Sequence, residues 1–166
     1  ELAQSVPGSR LEELGVLSES FNDMARQLSE RTERLHLATS AASLGIWDWD
    51  IVRNELIWDD AMCAQYGLRR EDFGGSYEDW VAALAPEDRE RTTADAQAAL
   101  RGEREFRSEF RVIWPDGSVH CIRGEARTVR DADGKPQRMV GVNYDITARK
   151  QAEQELVQHR DHLEKL

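Results

Sequence analysis

The sequence predicts an α+β domain, with one five-stranded antiparallel sheet, helices on one face of that sheet, and coiled-coil-type helices flanking it at both ends. Three observations support this fold class. Short segments in the middle of the chain alternate apolar and polar residues, which is the period-two pattern of half-buried strands. Tight-turn dipeptides, Asp116–Gly117 and Asp133–Gly134, separate the last of these segments. Near either end, apolar residues instead recur at steps of three and four, which is the helical period.

Composition limits the classes of protein to consider. The 166 residues, 40% of them hydrophobic and 33% charged, suffice for one domain of ordinary size plus helical extensions. A net charge of -10 argues against a nucleic-acid surface, which needs clustered Lys and Arg. No apolar run approaches the roughly 20 residues that cross a bilayer. Cys63 and Cys121 have no metal-ligand spacing, and we expect reduced thiols in a cytosolic setting.

The N-terminal part predicts a connector over residues 1–10, because it contains Pro7 and Gly8, and then a long helix that ends at Gly45. The helix carries a seam of residues, all but one of them apolar, that repeat at alternating steps of three and four: Leu14, Leu17, Phe21, Met24, Leu28, Arg31, Leu35 and Ala38. Such a heptad seam favours a dimeric coiled coil. The alternative is an amphipathic helix that lies on its own domain.

The middle of the chain predicts two short strands followed by three helices. Trp47, Trp49 and Ile51 alternate with acidic residues, and a turn at Arg53–Asn54 leads into a second strand. This second strand is expected from Glu55 to Trp58. The three helices are expected from Asp59 or Asp60 to Tyr66, from Tyr77 to Leu84, and from Pro86 to Leu100. Pro86 with acids after it suits a helix start.

The last third predicts a three-stranded meander that leads straight into a helix. The strands are expected at 106–114, 119–129 and 139–146. From Thr147 the residues favour a helix, without Gly or Pro, so no flexible loop separates sheet and helix. We expect the Thr147 hydroxyl to cap this helix by accepting a backbone N–H one turn along. A displacement of the sheet would then move the helix.

Three segments carry a resemblance to a known family: GIWDWD at 45–50, IWPDGSVHCIRG at 113–124 and GVNYDITARK at 141–150. With the element order, they resemble a PAS domain with a C-terminal PAC segment, over residues 34–148. Asp145, Ile146 and Thr147 are similar to the DIT signature that closes PAS domains and passes their signal to an output helix.

The stretch SRLEELGVLSESFNDMARQL at 9–28 is similar to the second helix of a HAMP signal-relay domain, with Glu13 and Gly15 in its DExG motif. These resemblances imply three segments: the end of a HAMP domain at 1–33, the PAS/PAC domain at 34–148, and an output linker helix at 149–166. The tail resembles the linker that enters the dimerisation helices of sensor histidine kinases.

The PAS resemblance implies a small-molecule pocket between the inner sheet face and the helices. The candidate pocket residues are Trp47, Trp49, Phe110, Ile122, Gly124 and Asn143. The small residues Gly124, Ala126 and Gly141 would leave a hollow there, whereas the two tryptophans favour a filled hydrophobic core. A buried Asn143 amide needs partners, which are either a ligand or a neighbouring backbone group.

Flavin-binding PAS domains use a Cys in an NCRF-like motif, and haem-binding ones use a His on the long helix. Neither feature occurs here, since Cys63 lies too early and residues 88–100 contain no His. The sequence therefore argues against flavin and haem and leaves an unidentified small molecule as the possible ligand.

Functionally, we expect a non-catalytic sensory and signal-relay piece of a longer receptor, forming a parallel homodimer. Its setting would be the cytoplasmic portion of an inner-membrane protein, with membrane segments upstream and a histidine kinase or diguanylate cyclase downstream. A ligand-free dimerisation spacer is the alternative. The expected signal-relay residues are Glu13, Gly15, Asp145, Ile146 and Thr147, and the expected dimer seam is Leu14, Leu17, Phe21, Met24, Leu28, Leu35, Leu156 and Leu163.

Overall fold

The computed structural model describes residues 7–163, and the chain divides between Ala41 and Ala42 into two compact units. The first unit is the helix α1 (Pro7–Ala41). The second unit contains, in chain order, β1 (Gly45–Asp50), β2 (Glu55–Trp58), α2 (Asp60–Gln65), a 3-10 turn (Arg70–Asp72), α3 (Tyr77–Ala83), α4 (Pro86–Leu100), β3 (Phe106–Ile113), β4 (Val119–Arg130), β5 (Pro136–Asp145) and α5 (Thr147–Leu163).

The five strands form one antiparallel sheet in the order β2-β1-β5-β4-β3, which confirms the predicted fold class. The last strand in the chain therefore lies at the centre of the sheet, between the two hairpins. Gly45 of β1 pairs with Asn143, and Ile122 of β4 pairs with Asp145. A shift of β5 would therefore displace both its neighbours, β1 on one side and β4 on the other.

The core lies on one face of the sheet, under α2, α3 and α4. Strand residues alternate between buried and exposed, so that Val112 and Ile122 are fully buried while their neighbours along the strands face outward. Ala96 and Ala99 on α4 are also buried, and their small side chains let this helix approach β3 closely. The opposite face of the sheet carries alternating Arg and Glu on β3 and β4.

An ion pair fixes the start of α4 against β3. The Asp88 carboxylate accepts the backbone N–H of Arg111 at 2.8 Å and the Arg111 guanidinium at 2.8 and 3.0 Å. These bonds hold the pKa of Asp88 below its usual range. At the other end of α4, Arg130 donates to the carbonyls of Ala99 and Leu100 and so satisfies two terminal acceptors.

The N-terminal boundaries differ from the sequence prediction. α1 begins at Pro7, so the predicted connector is wrong for residues 7–10, and its residues 1–6 lie outside the described part. Proline is tolerated in a first helical turn because its missing N–H needs no partner there. α1 also runs unbroken through residues 33 and 34, where the sequence placed a segment boundary.

Gly45 does not end this helix, which stops at Ala41. The chain leaves the helix through Ser43, whose φ of 52° lies in the left-handed region. Gly45 instead starts β1, where a Cβ atom would lie 2.7 Å from the sulfur of Met62. Its glycine character therefore serves close packing against α2.

The seam residues of α1 are all solvent-facing within the single chain. Leu14, Leu17, Phe21, Met24, Leu28 and Leu35 each expose 61–71% of their surface. The dimeric coiled coil stays a prediction. Among the helices of residues 7–163, none is both long and apolar enough to cross a membrane.

Candidate functional site

A small cavity of about 30 Å³ lies between the inner sheet face and the helices. Its walls are mostly aromatic, and the lining residues are Trp47, Trp49, Leu56, Trp58, Met62, Tyr77, Trp80, Ala96, Phe106, Phe110, Met139 and Asn143. A cavity of this size has room for about two water molecules. A larger occupant would require the aromatic side chains to move.

Four of the six predicted pocket residues line this cavity, namely Trp47, Trp49, Phe110 and Asn143. Ile122 and Gly124 are buried beside it but do not line it. The rings of Phe106 and Phe110 cover Gly124, because they lie 3.0 and 3.3 Å from where its Cβ would be.

Gly141 is likewise covered, by the indole of Trp47, and a Cβ there would also meet the Glu125 carbonyl oxygen at 2.6 Å. The small residues therefore admit aromatic rings, and the hollow that the sequence suggested beside them is filled.

The buried amide of Asn143 is satisfied by neighbouring side chains. Its Oδ1 accepts from Trp47 Nε1 at 3.0 Å, and its Nδ2 donates to the Tyr66 hydroxyl at 3.3 Å. The same hydroxyl accepts from Trp80 Nε1 at 3.2 Å. Burial raises the pKa of Tyr66 well above its usual value, so the hydroxyl stays neutral at physiological pH. We call Trp47, Tyr66, Trp80 and Asn143 the core polar cluster.

Gln65 connects this cluster to the segment that enters the sheet, and sequence reasoning missed it. Its Nε2 donates to the carbonyls of Ser43 and Asn143, each at 3.0 Å. Its backbone carbonyl accepts from Trp114 Nε1 at 2.9 Å. A glutamine at the end of a six-residue helix gives no sequence signal of burial, because the sheet that buries it is distant in the chain.

The junction of β5 and α5 is tight, as predicted, with only Ile146 between the two elements. The Ile146 N–H donates to the Cys121 carbonyl at 2.9 Å, and the Asp145 carboxylate accepts the Thr147 N–H at 2.9 Å and the Thr147 hydroxyl at 2.6 Å. Asp145 and Thr147 thus both anchor the helix start.

The expected role of the Thr147 hydroxyl is wrong in detail. It accepts the Cys121 backbone N–H at 3.0 Å instead of an N–H inside the helix. The pairing of β4 with β5 ends at Ile122, so the Cys121 N–H needs an acceptor and Thr147 supplies it. The carboxylate of Asp145 takes over the capping role.

A second contact holds α5 to the sheet. Glu109 on the outer face of β3 pairs with Arg149 Nη2 at 3.0 Å and with Lys150 Nζ at 2.8 Å. Hydrogen bonding from Lys150 lowers the pKa of Glu109, and Glu109 raises the pKa of Lys150. Strand alternation predicts that Glu109 faces outward but gives no signal of its partners.

The other predicted relay and seam residues are exposed. Glu13 and Gly15 lie on α1, and apart from the adjoining backbone of that helix no described atom comes within 4 Å of a Cβ placed on Gly15. Leu156 and Leu163 on α5 expose 72% and 58% of their surface.

Within residues 7–163, no group of three or more His, Cys, Asp or Glu side chains is placed to bind a metal ion. Cys63 and Cys121 are free thiols whose pKa values burial raises.

Curated proteins similar to this chain include a probable diguanylate cyclase and a sensor protein, both from bacteria. A probable diguanylate cyclase, DgcE of Escherichia coli K12, is 31% identical over 148 residues, and the match covers 87% of this chain but 13% of that protein. The sensor protein FixL of Bradyrhizobium diazoefficiens is 29% identical over 133 residues, covering 80% of this chain and 26% of FixL. The chain therefore spans a small part of these relatives.

A solved structure and a family model agree with this similarity. The crystal structure of a sensory box histidine kinase/response regulator from Burkholderia thailandensis E264 superimposes with a TM-score of 0.69 at 28% identity, covering 80% of this chain and 99% of that one. The family model described as PAS fold matches residues 55–143, from the second strand to the central strand β5. On this match and on its sheet order, the chain belongs to the PAS family.

Proposed function

We propose that this chain is the sensory and signal-relay module of a bacterial transmembrane receptor whose output domain, most simply a histidine kinase, follows in the same protein. The module is not itself an enzyme. The observation that carries the proposal is the direct connection of the central strand β5 to α5 through Ile146. A strand at the sheet centre responds to changes on either side of it, and α5 begins one residue after its end.

The relay begins with α1, which we propose to be the second helix of a HAMP domain on the cytoplasmic side of the inner membrane. The exposed seam from Leu14 to Leu35 pairs with the same seam of a second copy in a parallel homodimer. The seam on α5, with Leu156 and Leu163, continues this pairing towards the output domain. The dimer then positions two output domains next to each other.

The mechanism is a population shift between two poses of α5. A signal that arrives through α1, or a small molecule near Asn143, changes the packing against β5. Because Asp145 attaches the start of α5 to the end of that strand, and Thr147 attaches it to Cys121 on the neighbouring strand β4, the change alters the pose of the helix.

Asp145→Ala in the full receptor tests this proposal. The variant removes the carboxylate that caps α5, so we expect the PAS domain to fold while the stimulus-dependent change in output falls by about fivefold or more, the lower range of typical coupling energies. The output is measured as autophosphorylation for a kinase. Asp161→Ala, farther along α5, is the matched control because its ion pair lies within the helix. Unchanged regulation in Asp145→Ala would contradict the relay.

A second candidate is a ligand-free dimerisation spacer, for example in a diguanylate cyclase. The cavity of about 30 Å³ favours it, since aromatic rings fill most of the space that a ligand would use. Native mass spectrometry of the purified chain separates the two candidates. A retained small molecule supports a sensor that binds a ligand, and a mass equal to the polypeptide alone supports the spacer.

A further inference from the structure

The first turn of α5 contacts the sheet at a point far from the strand that the helix follows. α5 begins at the end of β5, whereas Glu109 lies on β3, two strands away in the sheet. The N–H of Lys150 makes a helical bond to the Ile146 carbonyl, so Arg149 and Lys150 belong to the first turn. This turn therefore reaches across β4 to Glu109.

The contacts at the strand end and the contact at Glu109 restrain different properties of the helix. The bonds of Asp145, Ile146 and Thr147 are clustered at the first residue of α5 and fix where the helix starts. A rod that is attached at one point is still free to swing. A second attachment farther across the sheet, at Glu109 on β3, defines its direction.

We propose that Glu109 is a positioning residue that sets the direction of α5 by pairing with Arg149 and Lys150, and that release of this pairing frees the helix to take its second pose. We call these three residues the exit-helix latch. The latch extends the proposed relay function, because it names the contact that differs between the two poses of α5. Its role in regulation rests on that proposed function.

The strength of the latch suits a switch. Its three side chains are 35–49% exposed, and ion pairs with this exposure are weak and screened by salt. Such a pair biases a population by a few-fold and does not lock it. A stimulus with a small difference in affinity for the two poses is then sufficient to move the helix.

Glu153 makes release easier. It lies on α5 itself, with its carboxylate 3.6 Å from Arg149 and 3.8 Å from Lys150. When the helix leaves the sheet, both bases keep an acidic partner, so release does not leave them unpaired. Glu153 therefore competes with Glu109 for the same two bases, and the two carboxylates affect the pose in opposite directions.

This opposition gives a sharp test on the 166-residue chain. Residual dipolar couplings of ¹⁵N-labelled protein measure whether α5 keeps a fixed orientation relative to the sheet. In Glu109→Gln we expect the population of the released pose to rise by about two- to fivefold, the range for an exposed ion pair. In the matched control Glu153→Gln we expect couplings that match the unmodified protein or indicate tighter docking. A general loss of helix stability would instead affect both variants in the same direction.

Salt and charge reversal complete the test. Raising the sodium chloride concentration to 1 M should raise the population of the released pose in the unmodified protein towards that of Glu109→Gln, and should have little effect on Glu109→Gln itself. Glu109→Lys should release the helix further, because Arg149 and Lys150 would then face a third positive charge. Adding Lys150→Glu to this variant should restore docking, because it places a carboxylate opposite Lys at position 109. Couplings of Glu109→Gln that equal those of the unmodified protein, or a failure of the reversed pair to restore docking, would overturn the latch.

The latch and the relay fail independently. The residual dipolar couplings test the latch on the 166-residue chain, independently of the output domain. If they respond as expected while Asp145→Ala leaves regulation of the full receptor intact, the latch stands and the relay is refuted.

Discussion

Tyr66→Phe tests whether the core polar cluster stabilises the domain. The substitution removes one hydroxyl oxygen from the interior and changes the shape of the side chain little. That oxygen accepts two hydrogen bonds, from Asn143 Nδ2 at 3.3 Å and from Trp80 Nε1 at 3.2 Å. In the variant both donors lose their partner.

The cost follows from the burial of the two donors. Asn143 exposes 2% of its surface, so its unpaired N–H costs about 1–3 kcal/mol. Trp80 is only half-buried and regains some hydration, so its donor adds about 0.5–1 kcal/mol. We therefore expect the free energy of unfolding to fall by about 1.5–4 kcal/mol, which lowers Tm by roughly 3–16 °C in a chain of this size.

Urea denaturation followed by tryptophan fluorescence measures the change, and the dependence on urea should keep its slope because the surface buried on folding is the same. Tyr144→Phe is the matched control, since Tyr144 lies on β5 next to Asn143 with its side chain on the outer face, 37% exposed. A Tyr66→Phe variant as stable as Tyr144→Phe would refute the reasoning, because the cluster would then contribute nothing beyond packing.

Two further predictions concern the acid stability of the domain and the dimer seam. Arg111 lowers the folded-state pKa of Asp88 below its unfolded value of about 3.9, so the stabilisation is complete above that pH and is lost as the pH falls through the lower, folded value. Asp88→Asn should therefore cost about 1–2 kcal/mol at pH 7 and flatten the loss of stability below about pH 4 in acid titrations, whereas the exposed neighbour Glu87→Gln should leave the profile unchanged. Leu28→Glu should weaken dimerisation by about 2–5 kcal/mol, as expected for loss of a buried leucine, while Ser29→Glu, one position off the seam, should not. Sedimentation velocity measures both variants, and equal dimer fractions would contradict the coiled-coil interpretation.

The strands and most of the helices could be predicted because their signals are local. Alternation at Trp47 and Trp49, and again from Phe106 to Val112, marks strands with one buried face. Turn residues with a positive φ, such as Gly117 and Gly134, separate the strands of the meander. These signals depend on neighbouring residues only, so the sequence is sufficient to locate them.

The end of α1 shows where such signals are ambiguous. Gly45 has the residue type of a helix C-cap, but its role is to let Met62 approach β1. A glycine required for a close contact and a glycine required for a left-handed turn are identical in the sequence. Ser43, which has the left-handed conformation, is not a residue type that predicts it.

The contacts inside the core could not be predicted, because they join residues that are far apart in the chain. The sequence identified Trp47, Trp49, Phe110 and Asn143 as inward-facing, but it did not show that Trp47 would cover Gly141. The hydrogen bond between Trp47 and Asn143 joins residues 96 positions apart. Only the register of β1 against β5 brings them together.

By itself, the sequence determined the alternation of the strands, the turns between them, the helical seam and the direct passage from Ile146 into α5. The tertiary structure alone decided that aromatic rings fill the pocket, that Gln65 connects the entry segment to β5, and that Glu109 reaches the exit helix. The physical reason is the range of the forces involved. Backbone preferences act within a few residues, whereas packing and ion pairs act between surfaces that only the completed sheet places in contact.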